Sequence, residues 1–261
     1  MNCVQMSPEG TEITDDAVLG GRLRLLQPRR GHRIGHDAIL LAAAAQARPG
    51  EHAVELGAGV GAAGLALAAR SPDVRVTLLD LDAGLVALAR DNIERNGLAN
   101  RVAAVALDVA GPAASFAGAG LMPGCADRVL MNPPFHDARR TSASPDPARR
   151  TAHLASEASL AAWIGAGQRL LHAGGVMTLI YRADALGHVL AALAHGFGGV
   201  EVLPVHPKPG APAIRVLVQA VLGSRAPLAL WPGLVLNDAN GRPDPFADRL
   251  LRGMAILTFE R

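Results

Sequence analysis

The chain predicts an α/β fold: a doubly wound, seven-stranded sheet that is mostly parallel and finished by an antiparallel strand. Three observations carry this reading. From His52 onward, short apolar runs alternate regularly with helical stretches. A glycine-rich bend, Gly57-Ala-Gly-Val-Gly61, joins the first run to the first of those helices. The last two runs are joined by the proline-rich His206–Pro212 and are expected to pair antiparallel.

The elements follow in order. Residues 1–11 are polar, and Ala17–Gln27 reads as a short hairpin turning at Gly20-Gly21. Pro28–Gly35 is a basic, glycine-punctuated loop, and a helix rich in Ala and Leu runs from Asp37 to Ala47, ended by Pro49-Gly50. His52–Leu56 is the first strand of the large sheet, followed by the glycine bend and a helix to Arg70. Val74–Leu79 is the second strand, Ala83–Asn96 an amphipathic helix closed by Gly97, and Val102–Leu107 the third strand. A short Gly/Ala-rich helical piece precedes the fourth strand, Asp127–Met131. Asn132–Thr151 reads as a loop too long to be a mere connector. A helix from Ser156 to Leu171, a fifth strand at Val176–Tyr181 and a helix capped by Asp184 come next. Val200–Val205 and Ile214–Leu222 close the sheet. This divides the chain into an N-terminal hairpin and helix (1–50), a core domain (51–225) and a C-terminal appendage (226–261) that no pattern places.

Composition agrees with one large domain. The 261 residues suffice for a full core, and half are apolar, chiefly Ala, Leu and Val. No apolar run reaches the length of a membrane span, and the N-terminus lacks the basic start and apolar core of a signal peptide. Cys3 and Cys125 stand far apart without a CxxC partner, so neither a disulfide framework nor a zinc site is expected, and a reducing cytoplasm is the expected location. His32 and His36 are spaced like a zinc pair, but Gly35 and the lack of a HExxH glutamate argue against metal. The formal charge is +2 and Lys208 is the sole lysine, so phosphate contacts would fall mostly to arginine.

The chemistry concentrates at the carboxyl ends of the strands, where open α/β sheets place ligands. Gly57, Gly59 and Gly61 let the backbone approach a ligand and turn the next helix's N-terminus toward it. Glu55, Asp80 and Asp108 end three successive strands. Asp80 follows Gly61 by nineteen positions, the spacing for gripping ribose hydroxyls, and Asp108 could accept a bond from an adenine amine. Three acids suit a cationic, adenosine-bearing donor better than a pyrophosphate, which they would repel. Asp80 and Asp108 could instead merely cap the helices after them.

After the fourth strand comes Asn132-Pro133-Pro134-Phe135. The prolines end the strand and hold Asn132 extended. An exocyclic amine on a nucleobase is a poor nucleophile because its lone pair is delocalised into the ring. If the Asn132 amide oxygen and the Pro133 carbonyl each accept one of its N–H bonds, that lone pair faces a methyl donor. Phe135 could stack on the base, a contact worth roughly 1–3 kcal/mol.

Glu55–Gly61, Asp80, Asp108 and Asn132–Phe135 together resemble a class I S-adenosylmethionine-dependent methyltransferase of the amino-methylating group, with its Rossmann-like fold. Gly31–Leu41, Arg150–Glu157 and His206-Pro207 with Pro212–Val216 are similar to the bacterial family that N6-methylates the anticodon-adjacent adenine of a valine tRNA. The resemblance implies S-adenosylmethionine as cofactor, with Gly57, Gly59 and Gly61 at its methionine part, Asp80 at its ribose, Asp108 at its adenine, and Glu55 and Leu81 among its contacts. Arg33 and Asp37 would close over it, Arg33 facing its carboxylate, and Asn132, Pro133, Pro134 and Phe135 would hold the target amine. Arg139, Arg140, Arg149 and Arg150, in the long loop, are candidates for RNA phosphate contacts, or else a solvated loop. The expected partner is tRNA as substrate, with no membrane and no metal, and the chain as monomer or homodimer. The same corner also suits a protein glutamine amide or a small aromatic acceptor. A non-catalytic cofactor-binding module that recognises RNA or protein is the reading from another class.

Overall fold

The computed structural model describes residues 5–6, 12–30, 33–134 and 147–259, with side chains described outside 5–6 and 147–158. In chain order, β1 (Gln5–Met6), β2 (Glu12–Val18) and β3 (Leu23–Pro28) form a small antiparallel sheet. The hairpin is longer than expected. It turns through Leu19–Gly21, where Gly20 and Gly21 take positive φ of 67° and 85°. Helix α1 (His36–Ala45) leads into β4 (His52–Leu56), α2 (Ala62–Arg70), β5 (Arg75–Asp80), α3 (Ala83–Arg95) and β6 (Val102–Ala106). Then come α4 (Ala113–Gly118), β7 (Ala126–Met131), α5 (Pro147–Leu170), β8 (Leu171–Arg182), α6 (Leu186–Leu193), β9 (Phe197–His206) and β10 (Arg215–Leu222).

The seven expected strands make the body of the large sheet in the order β9-β10-β8-β7-β4-β5-β6. β6, β5, β4, β7 and β8 are mutually parallel. β10 runs antiparallel to both β8 and β9, lying between them. Strand residues alternate between two cores, as a pleat requires. Val129 and Met131 face the core built with α4, α5 and α6, whereas Leu130 faces the one built with α1, α2 and α3. Both faces are covered, which is why the strands read as apolar runs.

Three readings change. α5 begins at Pro147 rather than at Ser156, so the expected Asn132–Thr151 loop is cut short; a proline is well suited to a helix's first turn. Asp184 does not cap α6. It pairs with Arg182, and α6 starts at Leu186 with Ala185 at its N-cap position and no side-chain cap, because the short 183–185 turn leads directly into it. The C-terminal segment is also part of the sheet: β11 (Ala229–Leu230) and β12 (Leu234–Val235) add to β9 in parallel, and α7 (Pro245–Leu251) is capped by Asp244 and buries Ala247 and Leu250. Arg22 donates to the Gly253 carbonyl and Arg70 to that of Leu250, fastening this segment beside α2. Among the described residues no helix is long and apolar enough to cross a membrane, and no three His, Cys, Asp or Glu side chains converge as a metal site.

Candidate active site

The site lies at the carboxyl rim, where β4, β5 and β7 end side by side. β4 runs into the bend, and Gly57, Gly59 and Gly61 all take positive φ, at 65°, 56° and 89°. Their surroundings differ. A Cβ on Gly57 would stand 2.2 Å from Cη2 of Trp163, and one on Gly61 would stand 2.8 Å from Leu78. A Cβ on Gly59 would meet nothing within 4 Å. Gly57 and Gly61 are therefore glycines of packing and turn, whereas Gly59 leaves open space at the rim.

Asp80 braces this bend. Its Oδ2 accepts the Gly59 N–H at 2.7 Å and its Oδ1 the Asp82 N–H at 2.9 Å. It is not the cap of the next helix; Asp82 is, accepting from Gly84 and Leu85. Leu81, beside it, is 71% exposed, an apolar side chain held out at the rim. Asp108 lies two residues past β6 and is exposed; it accepts from Ala110 N–H at 2.8 Å, a local turn.

Glu55 is buried under the bend, with Oε2 accepting the Gly64 N–H at 2.6 Å. Burial pushes its carboxyl up to about 8, Asp80 adds to the rise, and the Gly64 bond opposes it. Gly64 is glycine for this contact: a Cβ there would lie 2.7 Å from the Glu55 oxygen and 2.3 Å from Leu78.

Asn132 follows β7 and is half-buried, Pro133 is buried and Pro134 exposed. A cavity of about 250 Å³ brings Asn132 together with Glu55, Gly57, Gly59, Arg33, Asp37 and Arg215. Asp80, Leu81, Asp108 and Gly61 are not among its lining residues. Arg33 lines it, but its terminal nitrogens are held by Asp16 at 2.8 Å, Thr14 at 3.1 Å and the Pro28 carbonyl at 3.4 Å. Burial alone would raise the Asp16 carboxyl, yet bonds from Thr14 and Gln27 and the Arg33 charge bring it below its ordinary value. Asp37 accepts from Arg215 Nε at 2.8 Å.

Phe135, Arg139 and Arg140 lie outside the described residues, as do the side chains of Arg149 and Arg150. Sequence reasoning did not single out Arg215, Trp163 or Asn92. Arg215 sits in the Pro212–Val216 segment, whose resemblance was the available signal. Trp163 has none beyond its place on a helix.

The residues present fit a sulfonium donor bearing an adenosine: Gly59 leaves open space, Asp80 accepts the Gly59 N–H at the rim, and the Glu55 carboxyl lies beneath the bend. Such a sheet and rim define an S-adenosylmethionine-dependent methyltransferase. The chain belongs to the methyltransferase small domain family, which residues 32–207 match. It is similar to the tRNA1(Val) (adenine(37)-N6)-methyltransferase of Phocaeicola vulgatus, 28% identical over 188 residues, covering 71% of this chain and 75% of that one. It is also similar to the ribosomal RNA small subunit methyltransferase C of Pseudomonas entomophila, 35% identical over 104 residues, or 40% of this chain and 28% of that one. Among solved structures, a predicted O-methyltransferase, Atu636 of Agrobacterium tumefaciens, superposes with a TM-score of 0.72 at 31% identity, over 85% of this chain and 98% of that one. TYW2 of Pyrococcus horikoshii, solved with MeSAdo, shares the fold with a TM-score of 0.55 at 16% identity, over 81% of this chain and 72% of that one.

Proposed function

We propose that this enzyme methylates N6 of an adenine in tRNA. The observation that carries the reading is that Asn132, at the end of β7, and Gly57 and Gly59, at the end of β4, line one cavity. Bound S-adenosylmethionine supplies a methyl group on a positively charged sulfur. The chain's own part is to hold both reactants. Gly59 gives the donor's methionine end room, and Asp80, already fixed through both oxygens, is aimed by the bend it braces. Asp37 and Arg215 would meet the charged amino-acid end, with Leu81 and Asp108 nearer the ribose and adenine. The Asn132 amide oxygen and the Pro133 carbonyl would take the two N–H bonds of the target amine. That makes the nitrogen attack in line and needs no strong base, since it becomes acidic only once methylated. A hydroxyl acceptor offers a single hydrogen and would leave one of these acceptors idle.

The similarity to the tRNA1(Val) enzyme supports tRNA as the substrate. The shorter match to a ribosomal RNA methyltransferase supports a second reading, with the same chemistry on rRNA. The test is transfer of labelled methyl to purified tRNA, rRNA and protein fractions, followed by nucleoside analysis. N6-methyladenosine in tRNA is the expected product. Label in rRNA alone selects the second reading. Label in protein alone, or donor binding without turnover, contradicts both.

A further inference from the structure

Among the described residues β3 is an edge strand, paired in its sheet with β2. α3 supplies partners for its other side. Asn92 Oδ1 accepts the Leu26 N–H at 2.7 Å, and Asn92 Nδ2 donates to the Leu26 carbonyl at 3.0 Å. One turn later, Asn96 treats Arg24 the same way, at 3.0 and 2.9 Å. The spacings agree, since four residues of helix rise about 6 Å and two residues of strand advance about 6.6 Å. Two asparagines thus stand in for a strand.

They differ in one bond. Asn92 Nδ2 also donates to the Val60 carbonyl at 3.1 Å, inside the glycine bend. Asn96 Nδ2 turns instead to the Asn92 carbonyl at 2.7 Å. Asn92 is wholly buried, so its amide is costly unless these bonds are kept. On the hairpin, Gln27 follows Leu26, accepts the Ile34 N–H at 2.9 Å and donates to Asp16 at 2.7 Å. Asp16 in turn holds Arg33. Val60 lines one wall of the cavity, and Arg33 and Ile34 line another.

We propose that Asn92 is a positioning residue for donor binding, keeping the glycine bend and the Arg33–Ile34 wall in one register through Val60 on one side and Leu26–Gln27 on the other. This rests on the placement of the donor along Gly57–Gly61.

Asn92→Ala and Asn96→Ala both remove one rung of the ladder, but only the first releases Val60. Affinity for S-adenosylhomocysteine, measured by calorimetry on variants shown to be folded by their melts, separates the two. Asn92→Ala is expected to bind about five- to tenfold more weakly, the scale of one hydrogen bond in a buried network, with kcat at saturating donor unchanged. Asn96→Ala is expected to melt lower yet bind within about twofold of wild type, since it touches neither wall. Equal losses in both, or none in either, overturn the proposal. A wild-type measurement stands beside this in case Asn92→Ala does not fold. Saturating S-adenosylhomocysteine should slow amide exchange at Leu26 and leave Arg24 unchanged; an unchanged Leu26 overturns the proposal. Gly59→Val tests the placement itself. If it keeps wild-type affinity, the donor is not on the bend and the inference falls with that reading. If it loses affinity while Asn92→Ala keeps it, the inference alone falls.

Discussion

Glu55 sits where a carboxylate is costly: buried, near Asp80, with the Gly64 N–H bonded to its Oε2. Burial pushes its carboxyl up to about 8 from an ordinary value of 4.5. A raised acid binds its proton more tightly when folded, so stability is full below about pH 4.5 and is lost as pH climbs to about 8. The expected loss across that window is roughly 3–5 kcal/mol, and Glu55→Gln, which can still accept from Gly64, should flatten it in denaturant titrations. A slope unchanged by Glu55→Gln would assign the dependence to other groups. The glycines divide in the same local way. Gly57→Ala drives a methyl into Trp163 and should cost about 2–4 kcal/mol of stability. Gly59→Ala meets no atom and should cost only about 1 kcal/mol for its backbone, while weakening donor binding. Paired melts and donor titrations would show the two effects separating.

The arginines around α1 and α2 join elements that are distant in the chain. Arg215, at the start of β10, and Asp37, in the first turn of α1, are joined across the mouth of the cavity. Arg215→Gln is expected to raise the donor KM several-fold with little change in melting temperature, because the pair is partly exposed. A melting loss without a KM change would make it a structural tie. These links show where sequence stops being informative. The strands of the body were legible because each is buried on both faces and reads as a short apolar run, as in Val129-Leu130-Met131. The placing of β10 between β8 and β9 was not, since no local pattern distinguishes one edge from the other. Asp80 was legible by its distance from Gly61, but its bond to the Gly59 N–H needs the bend in three dimensions. The C-terminal segment was opaque because two-residue strands and arginine-to-carbonyl bonds leave no periodicity.

Taken as a whole, the molecule places two reactants at one rim by building each half of the site on a different strand end. Arg33 and Ile34, held by Asp16 and Gln27 of the N-terminal hairpin, line one wall and Arg215 of the antiparallel β10 another, so the cavity draws on the small sheet, the parallel strands and β10 together. Donor binding should therefore stabilise the entire chain. S-adenosylhomocysteine at a hundred times its Kd is expected to add about 2.7 kcal/mol, or roughly 5–10 °C in Tm, readable by calorimetry. Absence of a shift at that concentration would contradict a donor site that exists only in the folded chain.

The most direct measurement is methyl transfer to tRNA by Asn132→Ala, made alongside its affinity for S-adenosylhomocysteine. With Asn132 holding the acceptor and the glycine bend holding the donor, transfer should fall by about a hundredfold or more while affinity stays within about twofold of wild type. Transfer at the wild-type rate, or a loss of affinity that accounts for the whole defect, would contradict that division of labour.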